Sequence, residues 1–122
     1  MRAPSLQVRD VAVHAPVTAL ANDTIADCAK RMHAEHVGCL VVVEKNDGSE
    51  FPVGMLTDRD IAIEVVAFGL DPKALTAGDV MSEKPAVVEE DDDLLDVLAR
   101  MRERGARRLP VTRPDGALAG VI

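Results

Sequence analysis

Val53-Gly54-Met55-Leu56-Thr57-Asp58-Arg59-Asp60-Ile61 holds a strand, a junction and the start of a helix within nine residues. The apolar run from Val53 to Leu56 is too short for a buried helix and follows turn-forming residues, so it reads as a strand. Thr57 and Asp60 then stand three apart. At that spacing a hydroxyl takes the N–H of the third helical residue, while a carboxylate reaches back to the N–H of the cap. A helix is predicted from about Asp58 to Phe68, with Ile61, Ala62, Val65 and Val66 inward and Gly69 at its C-terminal end.

Upstream, Cys39-Leu40-Val41-Val42-Val43 is a β-branched run followed by the turn signal Asn46-Asp47-Gly48, so it pairs with the Val53–Leu56 strand as a hairpin. Before it, Asn22-Asp23 offers a helix N-cap, and Ile25, Cys28, Ala29, Met32 and His36 recur at helical spacing. The unit reads strand, helix, strand, strand, helix.

The chain then repeats itself. At one constant offset, Asp10, Val11, Pro16, Asp27, Arg31, Met32, Leu40 and Val42 meet Asp79, Val80, Pro85, Asp96, Arg100, Met101, Leu109 and Val111. After a slightly longer turn in the first copy, Asp47-Gly48 matches Asp115-Gly116 and Gly54 matches Gly120. The second copy carries a strand at Val87-Val88, a helix bearing Leu94, Val97, Leu98 and Met101, a strand at Leu109-Pro110-Val111, and a last strand from Leu118 to Ile122. The expected division is a first repeat over 8–70, a linker over 71–78 and a truncated second repeat over 79–122, without counterparts of Thr57, Asp60 and the closing helix. Leaving that face bare forfeits on the order of 10 kcal/mol of apolar burial, so further chain or a partner is expected to cover it.

Composition narrows the function. Of 122 residues, 48% are apolar, and Phe51 and Phe68 are the only aromatics, so one core of Val, Leu, Ile, Ala and Met suits helix-on-sheet layers in an α/β (α+β) fold. A net charge of −7 opposes general nucleic-acid binding, which needs a basic surface. No apolar run approaches a membrane span of roughly 18 residues and no signal-peptide pattern opens the chain, so a cytoplasmic protein is expected. Cys28 and Cys39 read as reduced, packed thiols. No nucleophile elbow, zinc-protease motif or phosphate loop is present, so an enzyme is not expected.

Glycine, two apolar residues, Thr57, two further residues and Asp60 resemble the signature of cystathionine-β-synthase-type (CBS) domains, and Arg107-Arg108-Leu109-Pro110-Val111 followed by Asp115-Gly116 and Gly120 resembles another of their hallmarks. The resemblance runs from about Val8 to Ile122 and is close to short stand-alone CBS-pair proteins, including the actinobacterial hypoxic response proteins. It implies two repeats packed as a pseudo-symmetric pair, often dimeric, that bind AMP, ATP or related adenosyl ligands between repeats.

On chemistry alone, a carboxylate at Asp60 can accept from both hydroxyls of a ribose, Thr57 can reach a phosphate oxygen, and Arg59 can supply positive charge beside the first helical N–H groups. The same Thr-x-x-Asp is also a capping box that needs no ligand. The resemblance adds Met81, Ala86-Val87, Arg108, Leu109 and Pro110 from the second repeat as flanks of adenine and phosphates, although Arg107 and Arg108 also fit a solvated arginine pair. It places an opposite site at Val17-Thr18 and Val37-Gly38-Cys39, lacking its own Thr and Asp, so one competent site is expected.

Other clusters read as structural. His33 and His36 lie three apart but find no further ligand at metal spacing, and Glu89 to Asp93 precede a helix whose dipole favours acids at its start. No metal site or cofactor is expected beyond the nucleotide. The reading is a non-enzymatic nucleotide sensor that acts as a homodimer; with no fused enzyme, channel or transporter in the sequence, its unknown target protein is expected to act in trans. The competing reading is an interaction or dimerisation module with a vestigial pocket.

Overall fold

A computed structural model describes residues 6–83 and 86–122. Pro85, one of the repeated positions, lies outside them. The first unit runs β1 (Thr18–Leu20), α1 (Ile25–Glu35), β2 (Cys39–Asn46), β3 (Ser49–Thr57) and α2 (Asp58–Asp60), which passes directly into a π-helical segment (Ile61–Val66). After α3 (Ala77–Val80) and β4 (Ser82–Glu83), the second unit runs β5 (Val88–Glu89), α4 (Leu94–Arg104), β6 (Pro110–Thr112) and β7 (Leu118–Val121). Each unit has a small mixed sheet. The first strand pairs in parallel with the second, which joins the third as an antiparallel hairpin.

Local chemistry explains these elements. Asp47 and Gly48 both have positive φ, 49° and 79°, so the β2–β3 hairpin closes on the tight turn whose twist matches the strands. The ladder slips one residue between Val42 and Val43, opposite Gly54 and Pro52, and β6–β7 slips at the corresponding place between Val111 and Thr112. A slip accommodates Pro52, which has no N–H to give.

Helices α1 and α4 occupy matching positions. Their caps are Thr24 and Asp93, whose side chains accept the N–H of Asp27 and Asp96. The cap of α1 is therefore not Asn22-Asp23, as expected from sequence. Asp23 instead takes the Leu20 N–H at 2.9 Å and the Arg31 guanidinium at 3.1 Å. The second unit repeats the device, Asp92 taking the Glu89 N–H and Arg100. The Leu20 bond lowers the pKa of Asp23 below 3.8; partial burial opposes this, and Arg31 lowers it further. A depressed carboxylate stabilises the fold above its unfolded pKa and loses that contribution as pH falls through the folded value. Arg31→Met is accordingly expected to raise the acid-unfolding midpoint, followed by circular dichroism, and an unchanged midpoint would refute this role.

The cores are aliphatic. Ile25, Cys28 and Met32 of α1 pack on Leu40, Val42 and Leu56, with Val65 from the π-helical segment closing the layer. Val97 and Met101 of α4 pack on Val88, Leu109 and Val111. A third cluster, Val41, Val43 and Met55 against Leu118 and Val121, joins the two sheets.

Several side chains lie elsewhere than the sequence pattern places them. Ala62 and Val66 are exposed, because i→i+5 bonding, Ala67 N–H to Ala62 carbonyl at 2.9 Å, rotates the face away from the α-helical phase. Ala29 and His36 are exposed, His36 being the left-handed C-cap of α1. In the second unit Val87 precedes β5 and is exposed, as is Leu98.

The units exchange their leading segments. Val8 and Ala12, ahead of β1, lie in the second core, and Val13 pairs with Val121. Reciprocally, Leu75, Ala77 and Val80 pack on the first core, and β4 joins the edge of β3. The bridges Gln7 to Asp93 and Thr24 to Thr76 repeat the exchange at the helix caps. Gly54 and Gly120 make it possible: a Cβ on Gly54 would strike the Met81 side chain, and one on Gly120 would lie 2.5 Å from the Val13 carbonyl oxygen. The result is a pseudo-twofold pair of α/β repeats, the second with no described element after β7 where the first has α2.

Candidate functional site

The end of β3 and the start of α2 face the second unit across an open cleft of about 1090 Å³. Thr57 ends the strand at its pairing with Cys39, and the Asp58 N–H is anchored to the Gly38 carbonyl at 2.9 Å, which fixes where the helix begins. The capping box is formed: the Thr57 N–H donates to Asp60 Oδ2 at 3.0 Å, and the Asp60 N–H donates to Thr57 Oγ1 at 3.1 Å. This arrangement uses one oxygen of Asp60 and one lone pair of Thr57. Asp60 Oδ1 and the Thr57 hydroxyl proton have no partner among the described residues, so a cis-diol and a phosphate oxygen can each be met without breaking the cap.

The opposite wall is the turn that ends α4, from Arg104 through Gly105 to Leu109. Gly105 has φ +66° and closes the helix in the left-handed conformation, which turns the following chain sharply towards β6. Of the residues anticipated from sequence, Thr57, Arg59, Asp60, Ala86, Arg108 and Leu109 line this cleft. Met81, Val87 and Pro110 do not. Met81 packs against the first core beside Gly54, Val87 is exposed, and Pro110 is fully buried in β6. Arg104, Gly105, Ser82 and Glu83 line the cleft without having been anticipated. A basic residue in the last helical turn ordinarily complements the helix dipole, so Arg104 carried no distinguishing signal.

A second, more apolar cleft of about 520 Å³ lies on the other side of the wall formed by Gly38, Cys39 and Arg108. Val17 and Val37 line it, where an opposite site was expected, together with Val11, Leu94 and Leu98. Burial raises the pKa of both thiols; at Cys39 the nearby Arg108 charge acts against that rise. The remaining clusters stay outside the clefts. His33 and His36 are exposed at the end of α1, and Asp92 and Asp93 of the acidic run are engaged in the ion pair and cap described above.

Two repeats with exchanged leading segments and a cleft between them define a tandem α/β pair of one recognisable architecture. The CBS domain model matches residues 8–67 and 77–122, and the chain belongs to the CBS domain family. Hypoxic response protein 1 of Mycobacterium tuberculosis is 33% identical over 115 residues, covering 93% of this chain and 77% of that protein. MK0525, an uncharacterised protein of Methanopyrus kandleri, is 33% identical over 118 residues, covering 97% of this chain. The chain spans only 59% of MK0525. The solved structure of the CBS domain protein PAE2072 from Pyrobaculum aerophilum, complexed with AMP, superposes with a TM-score of 0.86 at 25% identity, covering 96% of this chain and 86% of that one. No helix among the described residues is long and apolar enough to cross a membrane.

Proposed function

We propose that this CBS pair is a non-enzymatic regulatory module that binds an adenosine nucleotide in the cleft between β3–α2 and the α4–β6 turn. The observation that carries the reading is the Thr57–Asp60 box, formed on the cleft wall yet leaving one carboxylate oxygen and one hydroxyl proton without a partner among the described residues. Asp60 takes the ribose hydroxyls, and Thr57, Arg59 and Arg108 take the α-phosphate. The AMP complex of the similar P. aerophilum protein supports the ligand class. A nucleotide touching both units favours one relative orientation of the two, and a target protein or a second copy of the chain reads it out.

Isothermal titration calorimetry with AMP, ADP and ATP tests this. Asp60→Asn retains a carbonyl oxygen for the Thr57 N–H while losing the charge, so it is expected to keep the fold and weaken binding by about tenfold or more, the scale of one charge-assisted hydrogen bond. Saturable binding that Asp60→Asn leaves intact would remove Asp60 from the site. The alternative, an interaction module, is favoured by the same box, since it satisfies the helix start unaided, and by the exposed Ile63, Val66 and Phe68. It predicts no saturable titration by the folded wild type.

Cys39 provides a second readout because it lines the cleft, whereas Cys28 is wholly buried. Thiol labelling is expected to modify Cys39 first, slowly at neutral pH, and to slow several-fold further with saturating nucleotide. A rate indifferent to a nucleotide shown to bind would show that the ligand does not cover Cys39.

A further inference from the structure

Four arginines, Arg59, Arg104, Arg107 and Arg108, line the same cleft of a chain whose net charge is −7. None makes an ion pair among the described residues, whereas Arg31 and Arg100 do. Three carboxylates, Asp58, Asp60 and Glu83, share the cleft and are outnumbered by the four arginines; Asp60 and Asp58 are turned to the backbone N–H groups of Thr57 and Arg59. The helix dipole accounts for Arg104 in the last turn of α4; it does not account for Arg107 and Arg108 beyond Gly105. Guanidinium groups are planar forks matched to phosphate oxygens, and several facing one space suit an anion carrying more than one phosphate. The volume agrees. At about 1090 Å³ the cleft reaches the upper end of small-molecule sites, roughly 300–1,000 Å³, and leaves room beyond a nucleoside monophosphate.

We propose that the cleft selects a nucleoside polyphosphate over a monophosphate, with Arg104 and Arg107 holding the phosphates beyond the first. This rests on the nucleotide reading above and deepens it. Arg104→Gln/Arg107→Gln and the charge-retaining Arg104→Lys/Arg107→Lys test it, in calorimetric titrations of ATP, AMP and inorganic triphosphate at constant magnesium, with folding checked by circular dichroism.

Wild type is expected to bind ATP at least about tenfold more tightly than AMP, a difference of one decade in Kd. The glutamine variant should lose most of that preference by weakening ATP far more than AMP, and the lysine variant should keep an intermediate preference. Equal affinity for AMP and ATP, or equal losses of both in the glutamine variant, would overturn the selection while leaving the nucleotide reading in place. Triphosphate binding as tightly as ATP would overturn the nucleoside requirement and that reading with it. Absence of binding by all three would overturn both.

Discussion

Gly120→Val is expected to lower stability by about 3 kcal/mol and the thermal midpoint by on the order of 10 °C, because an added side chain meets backbone that cannot yield. Its Cβ would stand 2.5 Å from the Val13 carbonyl oxygen and 3.3 Å from the carbonyl carbon. Val13 is held there by its own pair of bonds, Val13 N–H to the Val121 carbonyl at 2.9 Å and Val121 N–H to the Val13 carbonyl at 3.0 Å. Relief therefore requires opening the bridge that joins the leading segment to the second sheet. Gly54→Val meets the flexible Met81 side chain but also the Ser82 carbonyl oxygen at 2.9 Å, so a smaller loss is expected there. Differential scanning calorimetry checks both, and a Gly120→Val midpoint equal to wild type would show that the segment does not dock as described.

Leu40→Ala is the second large effect. Leu40 is fully buried on β2 opposite Leu56, beneath α1. Truncation removes the transfer energy of the lost carbons and leaves a cavity that a sheet held on both sides cannot close, a cost of about 3 kcal/mol. The segment exchange adds a sharper expectation. Val97→Ala, in the other core, should shift the same single calorimetric transition, because residues ahead of each unit are buried in its partner. Two resolved transitions, with Leu40→Ala moving one and Val97→Ala the other, would show that the units unfold independently.

Much of the fold was legible because periodicity and turn chemistry agree. The β2–β3 hairpin followed from its β-branched run and Asp47-Gly48, and α1 and α4 from apolar residues at helical spacing. The cap of α1 was missed by one or two residues because Asn22, Asp23 and Thr24 all suit that role, and only the ion pair to Arg31 claims Asp23 for another. The π-helical winding has no marker in residue type, so the outward turn of Val66 was hidden. Nor could pattern reveal the exchange: residues 6–13 and 75–83 look like connectors, and their packing depends on which unit they reach.

The site divides in the same way. Thr57, Arg59 and Asp60 are local, carried by one capping signature, whereas the opposing wall is assembled across the chain. Arg108 and Leu109 were reached through the family resemblance. Arg104 and Gly105 look like an ordinary basic helix end, and that they line the cleft depends on long-range packing no local pattern carries.

The Val13–Val121 bridge also bears on how the protein is made. These residues are far apart in sequence, so on the ribosome Val13 has no partner strand until β7 has emerged, and Val8 none of its core neighbours until β5, α4 and β6 have. Until then Val8 and Ala12 remain exposed apolar surface, and the second sheet lacks an edge. Contacts of such long sequence separation slow folding and lengthen exposure to aggregation, so the emergence of β7 releases the leading segment from that hazard.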